Sequence, residues 1–201
     1  MATVLDLARR RRSIRRFLPR PVAREDILTC IEAARLAPSA SNTQPWRFVV
    51  VDEPGLKDRL CGEAFSGLYS ISRFTSQAPV VLVVLARLNF LANRVARQIQ
   101  GTQFYLIDIG ISVEHFVLQA EELGLATCWV GWFNARKVRR VLRVPRKYKI
   151  VALLPVGYAA SRPPREAVRK PIEEVVSFNG LEGDAGSEKE EECLSHPRPE
   201  D

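Results

Sequence analysis

Arg11-Arg12-Ser13-Ile14-Arg15-Arg16-Phe17 places four guanidinium groups and one hydroxyl within seven consecutive residues. A guanidinium offers a planar fork of donors that matches phosphate oxygens two at a time, and each charge-assisted bond contributes about 1.5–3 kcal/mol. Runs of like charge also occur simply as solvated faces. Composition therefore leaves two readings open, a basic patch or a held anion. Ile14 and Phe17 inside the run point to a segment pinned to a core, with some of its arginines turned inward.

Outward from this stretch the chain alternates helical and extended patterns. Residues 4–10 show a short helical pattern, and Pro19 and Pro21 interrupt the chain before 24–36. There Ile27, Leu28, Ile31, Ala34 and Leu36 recur near helical spacing behind Glu25 and Asp26, acids suited to a first turn. Pro38 ends that helix, 39–45 is a polar turn segment, and 46–51 reads as a strand. A modest helix is expected over 54–61, whereas 62–77 mixes Gly, Ser and aromatics without a clean period. The apolar runs at 78–86 and 150–156 suit buried strands and fall far short of a bilayer span.

A helix is expected over 88–100, then another over 102–123 that is apolar on most sides. Such a helix needs cover from several directions, either in the core or at a subunit interface. Asp108 and His115 lie seven apart on it, but a catalytic pair is not expected there. Gly124 is placed as its C-cap, followed by a strand at 126–130. Asn134 caps a basic helix at 135–142, whose Arg136, Lys137, Arg139 and Arg140 would form an exposed charged face. From Arg162 to Ser177 an arm follows with little capacity for a core of its own, so it must pack on something else, such as a second subunit.

The 201 residues, 46% hydrophobic and 26% charged, suit one globular domain, taken as 1–180. Residues 181–201 carry eight acids against Lys189 and Arg198 and are expected to be disordered. That tail, at −6, leaves +13 on the body out of a net +7. A field of this sign draws anions. Four widely spaced cysteines without a C-x-x-C pair argue against structural zinc, and two histidines leave little material for a metal site or a Ser-His-Asp engine. No G-x-x-x-x-G-K-[ST] or G-x-G-x-x-G occurs, so anion binding must come from side chains. Residues 1–8 have no apolar leader pattern, and a cytoplasmic protein without a membrane partner is expected. The alternation of elements indicates an α+β or α/β arrangement in three layers.

Three stretches together carry more. The opening run, then Ala37-Pro38-Ser39-Ala40-Ser41-Asn42-Thr43-Gln44-Pro45-Trp46, then Gly124-Leu125-Ala126-Thr127-Cys128-Trp129-Val130-Gly131, resemble successive signatures of the nitroreductase family. A fourth, Val168-Arg169-Lys170-Pro171-Ile172-Glu173-Glu174-Val175-Val176, is similar to that family's closing arm. The resemblance implies an α+β, three-layer α-β-α fold, with a central, mostly antiparallel sheet flanked by helices and an extended C-terminal arm. It also implies a homodimer holding FMN at the subunit interface. By position, Arg11, Arg12, Ser13 and Arg15 would take the FMN phosphate and ribityl chain, with Arg169 reaching the same phosphate from the arm. Pro38, Ser39, Ser41 and Asn42 would line the flavin from the other subunit, and the backbone at Gly131 and Trp132 would approach its ring. Ser70, Arg73 and Gln77 are the polar candidates where many members carry Asn or Gln at the flavin edge, and Ala167 replaces a further basic residue.

The activity implied is transfer of hydride from NADH or NADPH through flavin N5 to a quinone, nitroaromatic or related conjugated acceptor, by a ping-pong scheme with no obligatory side-chain acid or base. A specialised FMN protein that dehalogenates, breaks down flavin or senses redox state is a second reading. A basic nucleic-acid-binding protein using Arg9 to Arg16 and Arg136 to Arg140 is a third, disfavoured by the lack of an RNA-binding aromatic motif.

Overall fold

Val80–Arg87, a strand we label β2, alternates its side chains between two cores, as the two-residue period of a strand requires. Val80, Leu82, Val84 and Ala86 enter one cluster, Val81, Val83 and Leu85 the other. The computed structural model describes residues 2–88, 102–162 and 167–181. The helix expected over 88–100 and the acidic tail lie outside the described residues, apart from Leu88 and Leu181.

In chain order the helices are α1 (Val4–Arg10), α2 (Arg24–Arg35), α3 (Pro54–Ala64), α4 (Phe104–Glu122) and α5 (Ala135–Val141). The other strands are β1 (Trp46–Val51), β3 (Ala126–Thr127) and β4 (Tyr148–Gly157), in the sheet order β1-β2-β4-β3 with every ladder antiparallel. Ile27, Cys30 and Ala34 of α2 and Ile109, Val113, Phe116 and Ala120 of α4 cover one sheet face. Leu60, Cys61 and Ala64 of α3 and Val138 of α5 cover the other. The result is the expected three-layer α-β-α sandwich. Both thiols beneath it stay protonated, since burial pushes Cys30 up to about 12 and Cys61 up to about 11.

The Asn134 and Gly124 caps act as read, and a further cap appears at α1. Thr3 and Asp6 make a reciprocal capping box for α1, and Asn134 Oδ1 accepts from Lys137 N to start α5. Gly124 sits one position beyond the cap residue Leu123, at φ +74°. Its N–H goes to Glu121 O and that of Leu125 to Ala120 O, the paired bonds of a Schellman ending.

Three expectations need correction. The strand expected over 126–130 stops at Thr127 and resumes only as a bridge between Val130 and Leu153. Leu153 exchanges both backbone bonds with Val130, so Pro155, two residues on, turns its missing N–H toward this same edge. The ladder breaks there. Second, the unperiodic stretch contains a 3-10 segment, Gly67–Gln77, whose period is three: Ser72 and Thr75 are buried, while Leu68 and Ile71 are exposed. Third, α5 does not present a free basic face. Lys137 and Arg140 reach Glu63 at 2.9 and 3.3 Å, and Arg139 donates to the carbonyls of Val144, Pro145 and Tyr148. Those bonds tie down three of the four cations and Glu63 offsets one charge, while Arg136 and Arg140 stay exposed.

Thr75 is fully buried, and its Oγ1 is the one buried side-chain polar atom among the described residues without a hydrogen-bond partner. An isosteric Thr75→Val removes that unmet hydroxyl and should stabilise the protein by about 1 kcal/mol, read as a raised midpoint in urea at unchanged slope. A lowered midpoint would show that the hydroxyl is used.

The chain divides into two units, Met1–Glu166 and Ala167–Asp201. In its described part the second has one 3-10 turn, Ile172–Glu174, and exposes Val168, Ile172, Phe178 and Leu181. Among the described residues no helix is long and apolar enough to cross a membrane, and no cluster of His, Cys, Asp and Glu could hold a metal ion.

Candidate cofactor site

The arginine stretch is held from both sides of its own length. Ser13 bridges Thr127 in parallel, with Ile14 N donating to Thr127 O at 2.9 Å. Phe17 bridges Ala159, with Leu18 N donating to Tyr158 O at 2.8 Å and Ala160 N to Arg16 O at 3.0 Å. Ile14 and Phe17, 3% and 6% exposed, pack with Ala78 and Ala126, so both serve as the expected anchors. This fixes what the polar side chains can reach. Arg11 and Arg12 are half-buried; Ser13, Arg15 and Arg16 are exposed. Arg11 Nε lies 3.9 Å from Glu114 of α4, and the Arg15 guanidinium lies 5.8 Å from the centre of the Phe74 ring.

Cys128 marks where these groups converge. Burial holds its thiol above the ordinary value, while Arg15, a hydrogen bond with Ser13, and Arg11 each pull it down. Two cations and a hydroxyl thus lie near enough to this thiol, beside the break after β3, to act on it. That donor set has the chemistry a phosphate dianion needs.

Pro38, Ser39, Ser41 and Asn42 are gathered elsewhere, on the loop after α2. Ser41, Asn42 and Gln44 have φ of +50°, +51° and +44°. This left-handed region is easy for Asn but costs about 1–2 kcal/mol for an ordinary side chain. Local bonds hold the turn: Asn42 N to Ser39 O, Gln44 N to Ser39 Oγ, and Gln44 Nε2 to Asn42 Oδ1. The buried carboxylate of Asp108 accepts from Ala40 N at 2.9 Å. Asp108 and His115 thus serve backbone groups, as expected of a pair with no catalytic contact: His115 Nδ1 lies 3.2 Å from Ala33 O.

Gly131 follows the Val130 bridge and is exposed, and a Cβ built there would meet nothing within 4 Å. Its backbone is open to a flat group laid against it. Trp132, 57% exposed, donates Nε1–H to Leu68 O at 2.9 Å and lies 5.2 Å from the Tyr69 ring. Leu68 and Tyr69 were missed from sequence, because a three-residue period matches neither the helix nor the strand template. Ser70, Arg73 and Gln77 lie on the exposed side of the same segment. Arg169 belongs to the second unit, where its Nη1 donates to Val168 O.

Comparison with known proteins matches the profile of the nitroreductase family over residues 8–73 and 67–158. The chain is 33% identical over 195 residues to an NADH dehydrogenase of Thermus thermophilus, covering 84% of this chain and 92% of that one. It is 26% identical over 185 residues to an iodotyrosine deiodinase of Thermotoga neapolitana, covering 82% and 93%. Among solved structures, an FMN-dependent nitroreductase of Clostridium difficile superposes with a TM-score of 0.70 at 26% identity, covering 88% and 99%. With the family profile matched from residue 8 to residue 158, well over half of its length, the chain belongs to the nitroreductase family.

Proposed function

We propose that the protein is a cytoplasmic, FMN-dependent oxidoreductase that takes reducing equivalents from NADH or NADPH and passes them to a quinone, nitroaromatic or related conjugated acceptor. The observation that carries this reading is the pinning of the Arg11 to Phe17 run to the sheet edge through Thr127 and Ala159, with the open backbone of Gly131 a few residues after Thr127. Bound there, FMN would supply the hydride-accepting and hydride-donating chemistry. Arg11, Arg12, Ser13 and Arg15 would hold its phosphate and ribityl chain, with Arg169 as a further cation. Gly131 would let the backbone approach the ring, and Trp132, fixed through Leu68 and Tyr69, would stand at its margin.

The loop at 38–42 and the arginine stretch would complete one site across a homodimer. The arm supports this, since Val168, Ile172, Val175 and Phe178 expose apolar surface that suits a partner subunit. No role for nucleic acid is included.

Visible absorbance of the purified protein tests the reading: flavin bands are expected, or appear on reconstitution with FMN, and anaerobic NADH or NADPH bleaches them. A protein that neither carries nor binds FMN would refute it. The Thermotoga relative favours one specialised variant, reductive dehalogenation, so a halogenated tyrosine belongs in the acceptor panel beside menadione and a nitroaromatic. Reoxidation by that acceptor alone would select the variant.

A further inference from the structure

Helix α4 is apolar on most sides, yet Asp108, Ser112 and His115 lie along it at i, i+4 and i+7, the spacing that puts side chains on one face. All three grip the backbone of one neighbouring stretch. Ser112 Oγ donates to Ala34 O at 2.8 Å, His115 Nδ1 lies 3.2 Å from Ala33 O, and Asp108 Oδ1 accepts from Ala40 N at 2.9 Å. The polarity follows need. Ala33 and Ala34 stand in the last turn of α2, where carbonyls lack partners within the helix, and there α4 presents a hydroxyl and an imidazole. Within its own stretch Ala34 O receives the longer bond from Ala37 N, at 3.3 Å, and the cap amide of Leu36 shared with Glu32 O. Beyond the helix end Ala40 offers an amide, and there α4 presents a carboxylate.

The stripe thus closes α2 and sets where the next loop begins. Asp108 is 4% exposed, a burial that disfavours a carboxylate unless it is hydrogen-bonded. The bond it makes comes from a different helix, whereas those of Ser39, Asn42, Thr43 and Gln44 run within the loop. The residues it restrains are the left-handed Ser41 and Asn42, a conformation a free loop leaves readily.

We propose that Asp108, backed by Ser112 and His115, is a positioning residue that presets the 38–42 loop for its ligand. The claim that the loop is held rests on the geometry alone; that the ligand is FMN rests on the function proposed above. Loops preset in the bound conformation lose less on binding, so the effect belongs in affinity rather than in chemistry.

The test compares Asp108→Ala, which removes the acceptor, with Asp108→Asn, which keeps an acceptor oxygen in the same place. Amide hydrogen exchange of the full-length, flavin-free protein is read first, then FMN titration by flavin fluorescence. Asp108→Ala should speed exchange at Ala40 to Gln44 at least tenfold, with α2 and α4 unchanged. It should weaken FMN binding about five- to tenfold, and Asp108→Asn should restore both within about twofold. Unchanged exchange at Ala40, or acceleration spread through α2 and α4, would overturn the proposal. So would an Asp108→Asn protein whose exchange at Ala40 and FMN affinity depart more than about twofold from the wild type, a comparison that stands even if Asp108→Ala fails to fold. Should the wild type bind no FMN, the flavin reading fails separately, and local exchange still decides whether Asp108 holds the loop.

Discussion

Arg15→Ala is expected to weaken FMN binding roughly 10- to 100-fold, whereas Arg16→Ala should stay within about twofold of the wild type. The two residues are neighbours, carry the same charge and are both exposed, so neither composition nor burial separates them. Direction does. Arg15 lies 5.8 Å from the Phe74 ring and near enough to Cys128 to favour its thiolate, within the group assigned to the phosphate. Arg16 contributes its carbonyl to Ala160 N, a bond that any side chain at that position retains. A charge-assisted pair contributes about 1.5–3 kcal/mol, which corresponds to the stated factor in affinity. A general basic patch would instead lose similar affinity at both positions, and more at low salt than at high. Equal losses in a fluorescence titration would return the stretch to that simpler reading. Arg15→Lys should recover part of the binding, since it restores the charge without the bidentate fork.

What the sequence made legible, and what it hid, follows the range of the interactions. β2 could be read because a strand covered on both faces is apolar at every position, and α4 because its apolar residues outnumber one face. Ile14 and Phe17 announced their anchoring by standing apolar among arginines. The polar stripe of α4 was hidden, because its meaning depends on carbonyls and an amide that lie 68 to 82 residues away. Glu63 likewise pairs with both Lys137 and Arg140 across 74 and 77 positions, so α5 looked freer than it is. The shortened β3 did have a signal. Pro155 stands inside an otherwise unbroken strand pattern, and a missing donor there must fall on one neighbour or the other. Which neighbour loses the bond depends on the register of Leu153 with Val130, which becomes visible only in the fold.

Gly157→Ala should lower the melting temperature by about 3–10 °C, the consequence of an overpacking cost of about 1–3 kcal/mol at a gain of 2–4 °C per kcal/mol for a chain this long. A Cβ at Gly157 would stand 2.6 Å from Pro79 Cδ, 3.1 Å from Pro79 Cγ and 3.2 Å from Phe17 Cδ1. A proline ring cannot swing aside as a flexible side chain can, and Pro79 lies just ahead of β2 in the middle of the sheet. The yielding neighbour is therefore Phe17. Moving it disturbs the anchor of the arginine stretch, so the same substitution should also weaken FMN binding. Gly131→Ala supplies the contrast, because among the described residues nothing beyond its chain neighbours lies within 4 Å of its added methyl. Its melting temperature should stay near the wild-type value while FMN affinity falls, the methyl intruding only on the ligand. A calorimetric scan and an FMN titration on both variants separate the two roles. If Gly157→Ala melts normally, the close approach of β4 to Pro79 is not what holds the arginines in place; if Gly131→Ala binds FMN as the wild type does, the ring does not lie against that backbone.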